Sequence, residues 1–166
     1  SQLFRRAGLE IKLAAPTGRA SQRMSDVCNM EASTIHRLLK YDPISRTFLH
    51  DKNFPLPIDA LIIDESSMID ILLAAHLFDA LPKGSRIIVV GDADQLPSVG
   101  PGLFLADLLG IAKIPRVRLT QLFRRAEESS ITSIAHMINN SQIPNIPQPD
   151  GNIKSDSYFL PAEDLT

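Results

Sequence analysis

Two apolar runs stand out along the chain. Leu61-Ile62-Ile63 and Ile87-Ile88-Val89-Val90 are short and continuous, and each stops abruptly at polar residues. Runs of this kind predict strands covered on both faces, as in a parallel sheet. Ile11–Ala15 predicts a short strand and Arg116–Leu119 another. Between them, apolar residues recur at helical spacing over Ile69–Leu81. Further helices are predicted from the Pro16-Thr17-Gly18-Arg19 turn to about Val27, over Ile35–Leu39 behind the caps Ser33 and Thr34, over Leu103–Leu109, and from the cap Ser129 to Asn139. Gln2–Ala7 is helical in composition, with Gly8 as a stop and no cap in front of it.

Punctuation separates these elements. Pro82-Lys83-Gly84 is a turn and Leu96–Gly102 a Pro/Gly loop. Tyr41–Pro57, with its prolines and Phe48-Leu49-His50, reads as a surface excursion or hairpin. Ser141–Gly151 reads as a linker, and Tyr158-Phe159-Leu160 resembles a strand with nothing left to pair with. Strands alternating with helices predict an α/β domain with a mainly parallel sheet. Both ends of the chain look cut, an expectation about a larger protein.

Composition narrows the class. With 166 residues and 44% apolar content, the chain can bury one real core. A net charge of −2 gives no sign of a polyanion-binding surface and, alone, argues against nucleic acid. No segment has the apolar length of a membrane span, and no signal peptide is visible. The lone Cys28 cannot form an internal disulfide and has no partner thiol for zinc, so it reads as a small packing residue. The expected setting is a reducing cytoplasm.

The chemistry sits where the two runs end. Ligands in open α/β sheets collect at the carboxyl ends of the strands. Asp64-Glu65 follows the first run; Asp92, Asp94 and Gln95 follow the second. Two adjacent carboxylates can divide labour, one holding a magnesium ion and the other orienting an attacking water. Gln95 is neutral and bifunctional, so it can touch a γ-phosphate without repelling it. The plainer alternative is that Asp64 and Glu65 cap the helix that follows.

Four further segments occur in order around these strands: Leu13–Ala20, Thr34–Leu39, Leu96–Gly102 and Leu119–Arg125. Together the six resemble the RecD-type DNA helicases of superfamily one, which include the exodeoxyribonuclease V alpha subunit, over about Lys12–Asn140. The resemblance implies a RecA-like P-loop first motor domain over 1–140 and a linker with the start of the next domain over 141–166. It implies Asp64 as magnesium ligand, joined by Glu65, which activates water. It also implies Gln95 as γ-phosphate sensor and Arg124 as the arginine that stabilises transition-state charge, Arg125 being its competitor. Pro16, Thr17, Gly18 and Arg19, with Thr34 and His36, match segments that touch single-stranded DNA. Each has a plainer role open to it: Thr17 and Thr34 as caps, His36 and Arg19 as solvated surface groups.

The cofactors implied are ATP and Mg2+. The partners implied are single-stranded DNA, duplex DNA ends and subunits of a nuclease–helicase complex, with no membrane. The activity implied is five-prime to three-prime unwinding in DNA repair and recombination. A phosphate-gripping loop would read Gly-x-x-x-x-Gly-Lys-Ser/Thr, and no Gly-Lys pair occurs in the chain. The expectation is therefore a motor segment that is inactive by itself and self-associates through an exposed sheet edge. The competing readings are a degenerate DNA-binding or scaffold module, and a P-loop ATPase of another kind.

Overall fold

The computed structural model describes residues 4, 6–119, 129–149 and 155–160. It divides into two compact units, Ser1–Pro115 and Arg116–Thr166. Half of the expected Gln2–Ala7 helix lies outside the described residues. Just after it Gly8 turns the chain at φ 73°, a conformation that costs glycine little.

The first unit is built on four parallel strands in the order β2-β1-β5-β6. These are β1 (Ile11–Ala15), β2 (Ala32–Thr34), β5 (Ala60–Ile63) and β6 (Arg86–Val89). The register sets Ala15 beside Thr34, Ala14 beside Ile63, and Ile63 beside Val89. All four carboxyl ends therefore lie along one edge of the sheet. The α/β architecture expected from the alternation is present.

Successive residues of a strand face opposite ways, and the core splits accordingly. Ile11, Leu13 and Ala60 pack with Met24 of α1 (Gly18–Cys28), and Cys28 joins this cluster as a packing residue. Ala14, Leu61 and Ile63 pack on the other face with Leu73 and Leu77 of α3 (Ile71–Asp79), Phe104 of α4 (Phe104–Gly110) and Ile35 of α2 (Ile35–Leu38). Ala14 and Ala15, fully buried, leave room for helices to approach the central strand. The Tyr41–Pro57 excursion contains a small antiparallel hairpin, β3 (Tyr41–Asp42) with β4 (Thr47–Phe48). The Asp42 carboxylate closes its turn by accepting from Ser45 Oγ (2.7 Å) and the Ile44 N–H (2.9 Å). The Ser45 bond foremost holds that carboxyl below its ordinary pKa.

Three elements depart from the sequence pattern. The helix expected over Ile69–Leu81 begins only at Ile71; a 3-10 turn, Ser66–Met68, precedes it, and Ile69 is extended and fully buried. The turn lets Ile69 reach the core before the helix is capped. Strand β2 is a strand that the pattern did not mark, because Ala-Ser-Thr carries no apolar run. The strand expected at Arg116–Leu119 does not form: Val117 and Leu119 are 89% and 91% exposed. Side chains this exposed give a strand no apolar face to bury.

In the second unit α5 spans Ser130–Asn139. Ser129 occupies the cap position but makes no capping bond with its own side chain. Asp156 serves instead: its carboxylate accepts from Ser129 Oγ (2.6 Å) and the Ser130 N–H (2.9 Å). These bonds, that of Ser129 first, hold the Asp156 carboxyl below its usual range. Tyr158–Leu160 forms no regular strand, and the Phe159 N–H donates to Pro147 O (3.0 Å).

Candidate functional site

The carboxyl edge of the sheet gathers most of the candidate residues because every strand runs the same way. From β2 comes Thr34, from β1 Pro16 and Thr17, from β5 Asp64 and Glu65, and from β6 the loop through Asp92 to Gln95.

At β5 the ladder continues just past the strand: the Asp64 N–H donates to Ala14 O (3.0 Å). Asp64 Oδ1 accepts from the Glu65 N–H (2.9 Å). Glu65 is left-handed, at φ 53° and ψ 39°, a conformation uncommon for a residue with a Cβ. It reverses the chain at once, so both half-buried carboxylates stay at the edge instead of entering a helix. The capping alternative does not hold for either residue. Glu65 makes no side-chain cap bond, and the cap of α3 is Asp70, whose Oδ1 accepts from the Leu73 N–H (2.7 Å).

At β6 the strand leads into an exposed turn. Asp92 Oδ1 accepts from the Asp94 N–H (3.0 Å), and Asp92 O accepts from the Gln95 N–H (3.3 Å). The Gln95 side-chain amide donates to Asp92 Oδ2 at 3.5 Å, a weak contact that leaves its oxygen for a ligand. The Val90 N–H bonds to Ile63 O (2.8 Å), and Val90 O accepts from the Ser66 N–H (3.0 Å). The two acidic strand ends are thus neighbours, joined by backbone bonds.

On the other side of β5 lie the remaining candidates. Thr17 caps α1 by accepting from the Ala20 N–H, and Thr34 caps α2 by accepting from the Arg37 N–H, each at 3.2 Å. Their structural role as caps is therefore real. A Cβ at Gly18 would meet no atom within 4 Å, so packing among the described residues does not explain that glycine. Arg19 and His36 are exposed. The His36 ring lies 5.4 Å from Tyr41, edge to face, and 5.7 Å from Phe48. These aromatic neighbours on the hairpin were missed in the sequence, where Phe48 read only as part of an excursion. Arg124 and Arg125 lie outside the described residues.

A parallel sheet with paired carboxylates and an amide along its carboxyl edge has the form of a nucleotide-hydrolysing α/β domain. The chain belongs to the AAA domain family, whose sequence model matches residues 1–101. It is RecD-like within that class. It is 44% identical over 137 residues to an ATP-dependent RecD2 DNA helicase of Deinococcus radiodurans, covering 82% of this chain and 19% of that protein. It is 41% identical over 115 residues to the RecBCD enzyme subunit RecD of Mycobacterium tuberculosis, covering 60% of this chain and 20% of that one. Against the ATP-dependent DNA helicase dda of phage T4 it is 37% identical over 105 residues, with 60% and 24% covered. The chain thus spans about a fifth of the length of these curated relatives. Among solved structures it is similar to a Pif1 helicase from Bacteroides, at 26% identity and a TM-score of 0.40, covering 64% of this chain and 28% of that one.

Proposed function

We propose that this chain is the hydrolytic part of the first motor domain of an ATP-dependent DNA helicase. In that reading residues 1–140 belong to the motor domain and 141–166 lead towards the next. The observation that supports it most is the single carboxyl edge. It carries Asp64-Glu65 and the Gln95 loop on adjacent strands, with the Thr17 and Thr34 segments on the strands beyond.

The donor set fits a magnesium ion held by one carboxylate together with phosphate oxygens and water. Among the described residues no group of three His, Cys, Asp or Glu side chains could cage a metal unaided. Asp64 would hold the ion, with Glu65 beside it; the ion would neutralise charge on the phosphates of bound ATP. Glu65 would orient and deprotonate the attacking water. Gln95 would touch the γ-phosphate through its amide, and Arg124 would stabilise charge developing there, as an always-charged planar donor can. Pro16–Arg19, Thr34 and His36 would contact the backbone of single-stranded DNA, which gives the sequence-independent grip a translocating motor needs.

The complete protein would act on single-stranded DNA and duplex ends, translocating five-prime to three-prime, alone or with subunits of a nuclease–helicase complex. It would serve repair and recombination in the cytoplasm. The 166 residues alone, with no Gly-Lys phosphate loop, would hydrolyse no ATP. The test is the complete protein with ATP, magnesium and single-stranded DNA. Glu65→Gln is expected to lower kcat by about 10²- to 10⁴-fold, the range for loss of a general base, while ATP still binds. Wild-type kcat in that variant would overturn the role given to Glu65, and a wild-type protein that binds DNA without hydrolysing ATP would replace this reading with the DNA-binding module.

A further inference from the structure

The loop that carries Gln95 is fastened to the segment after Glu65 at three points. At its start, Gly91 lies against Ser66: a Cβ there would stand 2.4 Å from Ser66 Oγ and 2.9 Å from Leu105 Cδ2. Near its end, Gly100 lies against Asp70: a Cβ there would stand 2.4 Å from Oδ2 and 2.7 Å from both Cβ and Cγ. Immediately beyond, Pro101 O accepts from the Ile71 N–H (2.9 Å), the first helical residue of α3, and Gly102 lies against Ile71 Cβ at φ +89°. Ser98 Oγ closes the loop on itself, donating to Gly100 O (3.1 Å). Gln95 sits between the first and second fastenings, and Asp64-Glu65 sits just before Ser66.

We propose that Asp70 and Gly100 form a latch that sets the position of the Gln95 loop relative to Asp64 and Glu65. Asp70 is then a positioning residue with two tasks. Its Oδ1 caps α3, and its other face is the surface on which Gly100 rests. The second task explains a glycine at 100, where the structure shows no left-handed backbone: any side chain would collide with Asp70. Carbon atoms in contact prefer about 3.5–4.0 Å. An alanine at 100 must therefore lift the loop by roughly 1 Å, a displacement that can cost about 10²-fold in rate when it reaches a reacting group. This inference rests on the proposed roles of Asp64, Glu65 and Gln95 and adds the part that holds them in register.

The test uses the complete protein and exchanges bulk across the contact. Gly100→Ala is expected to lower DNA-stimulated kcat by about 10- to 100-fold with KM for ATP within about twofold. Asp70→Gly removes the colliding atoms yet keeps an acceptable cap residue. The double variant D70G/G100A is expected to recover at least about tenfold over G100A, a non-additivity that marks direct contact. Asp70→Asn, which keeps both shape and cap, should match wild type. Thermal unfolding of each variant accompanies the kinetics: a purely structural role would move the midpoints and leave the split between kcat and KM alone. If G100A does not fold, D70G alone must lower DNA-stimulated kcat at unchanged KM. Wild-type kcat in G100A, or a double variant no better than G100A, overturns the latch. A wild-type protein without DNA-stimulated hydrolysis overturns the functional reading and the latch with it.

Discussion

Strands β5 and β6 are alike in character and opposite in circumstance. Both are apolar and β-branched, and both end in acids at the same edge of the sheet. β5 has a strand on either side and helices over both faces; Leu61 and Ile63 are wholly buried. β6 ends the described sheet, and its Ile88 is 40% exposed. The N–H groups of Arg86 and, just past the strand, of Val90 bond to Asp59 O and Ile63 O. By the alternation of a parallel ladder, the N–H and C=O of Ile87 and Val89 must point away from β5, towards the open edge. An apolar run therefore reports the neighbours a strand is made for, and β6 is made for more of them than the described residues supply.

The largest expected contrast is in stability. Leu61→Ala removes three carbons from a site with no room to collapse, and should destabilise the chain by about 2–5 kcal/mol. Ile88→Ala removes the same number from a half-open site and should cost about 1 kcal/mol. Denaturant unfolding of the 166-residue chain measures both. Equal losses would mean that β6 is covered after all.

That contrast also marks what the sequence could carry. The runs at Leu61 and Ile87 locate two central strands, and the abrupt stop at Asp64-Glu65 locates the acidic edge, because burial and charge both leave local traces. β2 was illegible: three residues of intermediate burial leave no periodicity, and Ser33 and Thr34 read as caps. Thr34 is in fact both strand end and cap. The late start of α3 was hidden because Met68 and Ile69 fit the helical spacing, although Asp70 before Ile71-Leu72-Leu73 is a good cap signature. The reason for Gly100 could not be read locally, since the side chain that demands it is thirty residues away. The Arg124 role is legible only by resemblance and falls outside the described residues.

A smaller effect is expected at the open edge itself. Backbone groups that the described residues leave unpaired, beside an exposed apolar side chain, invite another strand. The 166-residue chain should associate with itself as concentration rises, and Ile88→Lys should weaken that by about tenfold, or ~1.4 kcal/mol. Sedimentation velocity over a concentration series reads the effect. A monodisperse monomer at high concentration would show that the β6 edge is protected and that the contrast with β5 is one of side-chain burial alone.

The smallest effect sits where the two strands are tied. Ser66 is fully buried between them; its N–H bonds to Val90 O, but its Oγ has no partner among the described residues. A buried hydroxyl without a partner is a desolvation cost with no compensating bond. Ser66→Ala should therefore leave the chain as stable or stabilise it by about 0.5–1 kcal/mol. The missing atom also frees the nearest obstruction to a Cβ at Gly91. Gly91→Ala, disfavoured alone, should be better tolerated in the Ser66→Ala background, although Leu105 still limits the space. Thermal unfolding of the two single variants and the double measures that coupling. A loss above about 1 kcal/mol in Ser66→Ala would reveal a partner for the hydroxyl, such as a buried water. The tie between β5 and β6 would then be polar on both its backbone and its side-chain contacts.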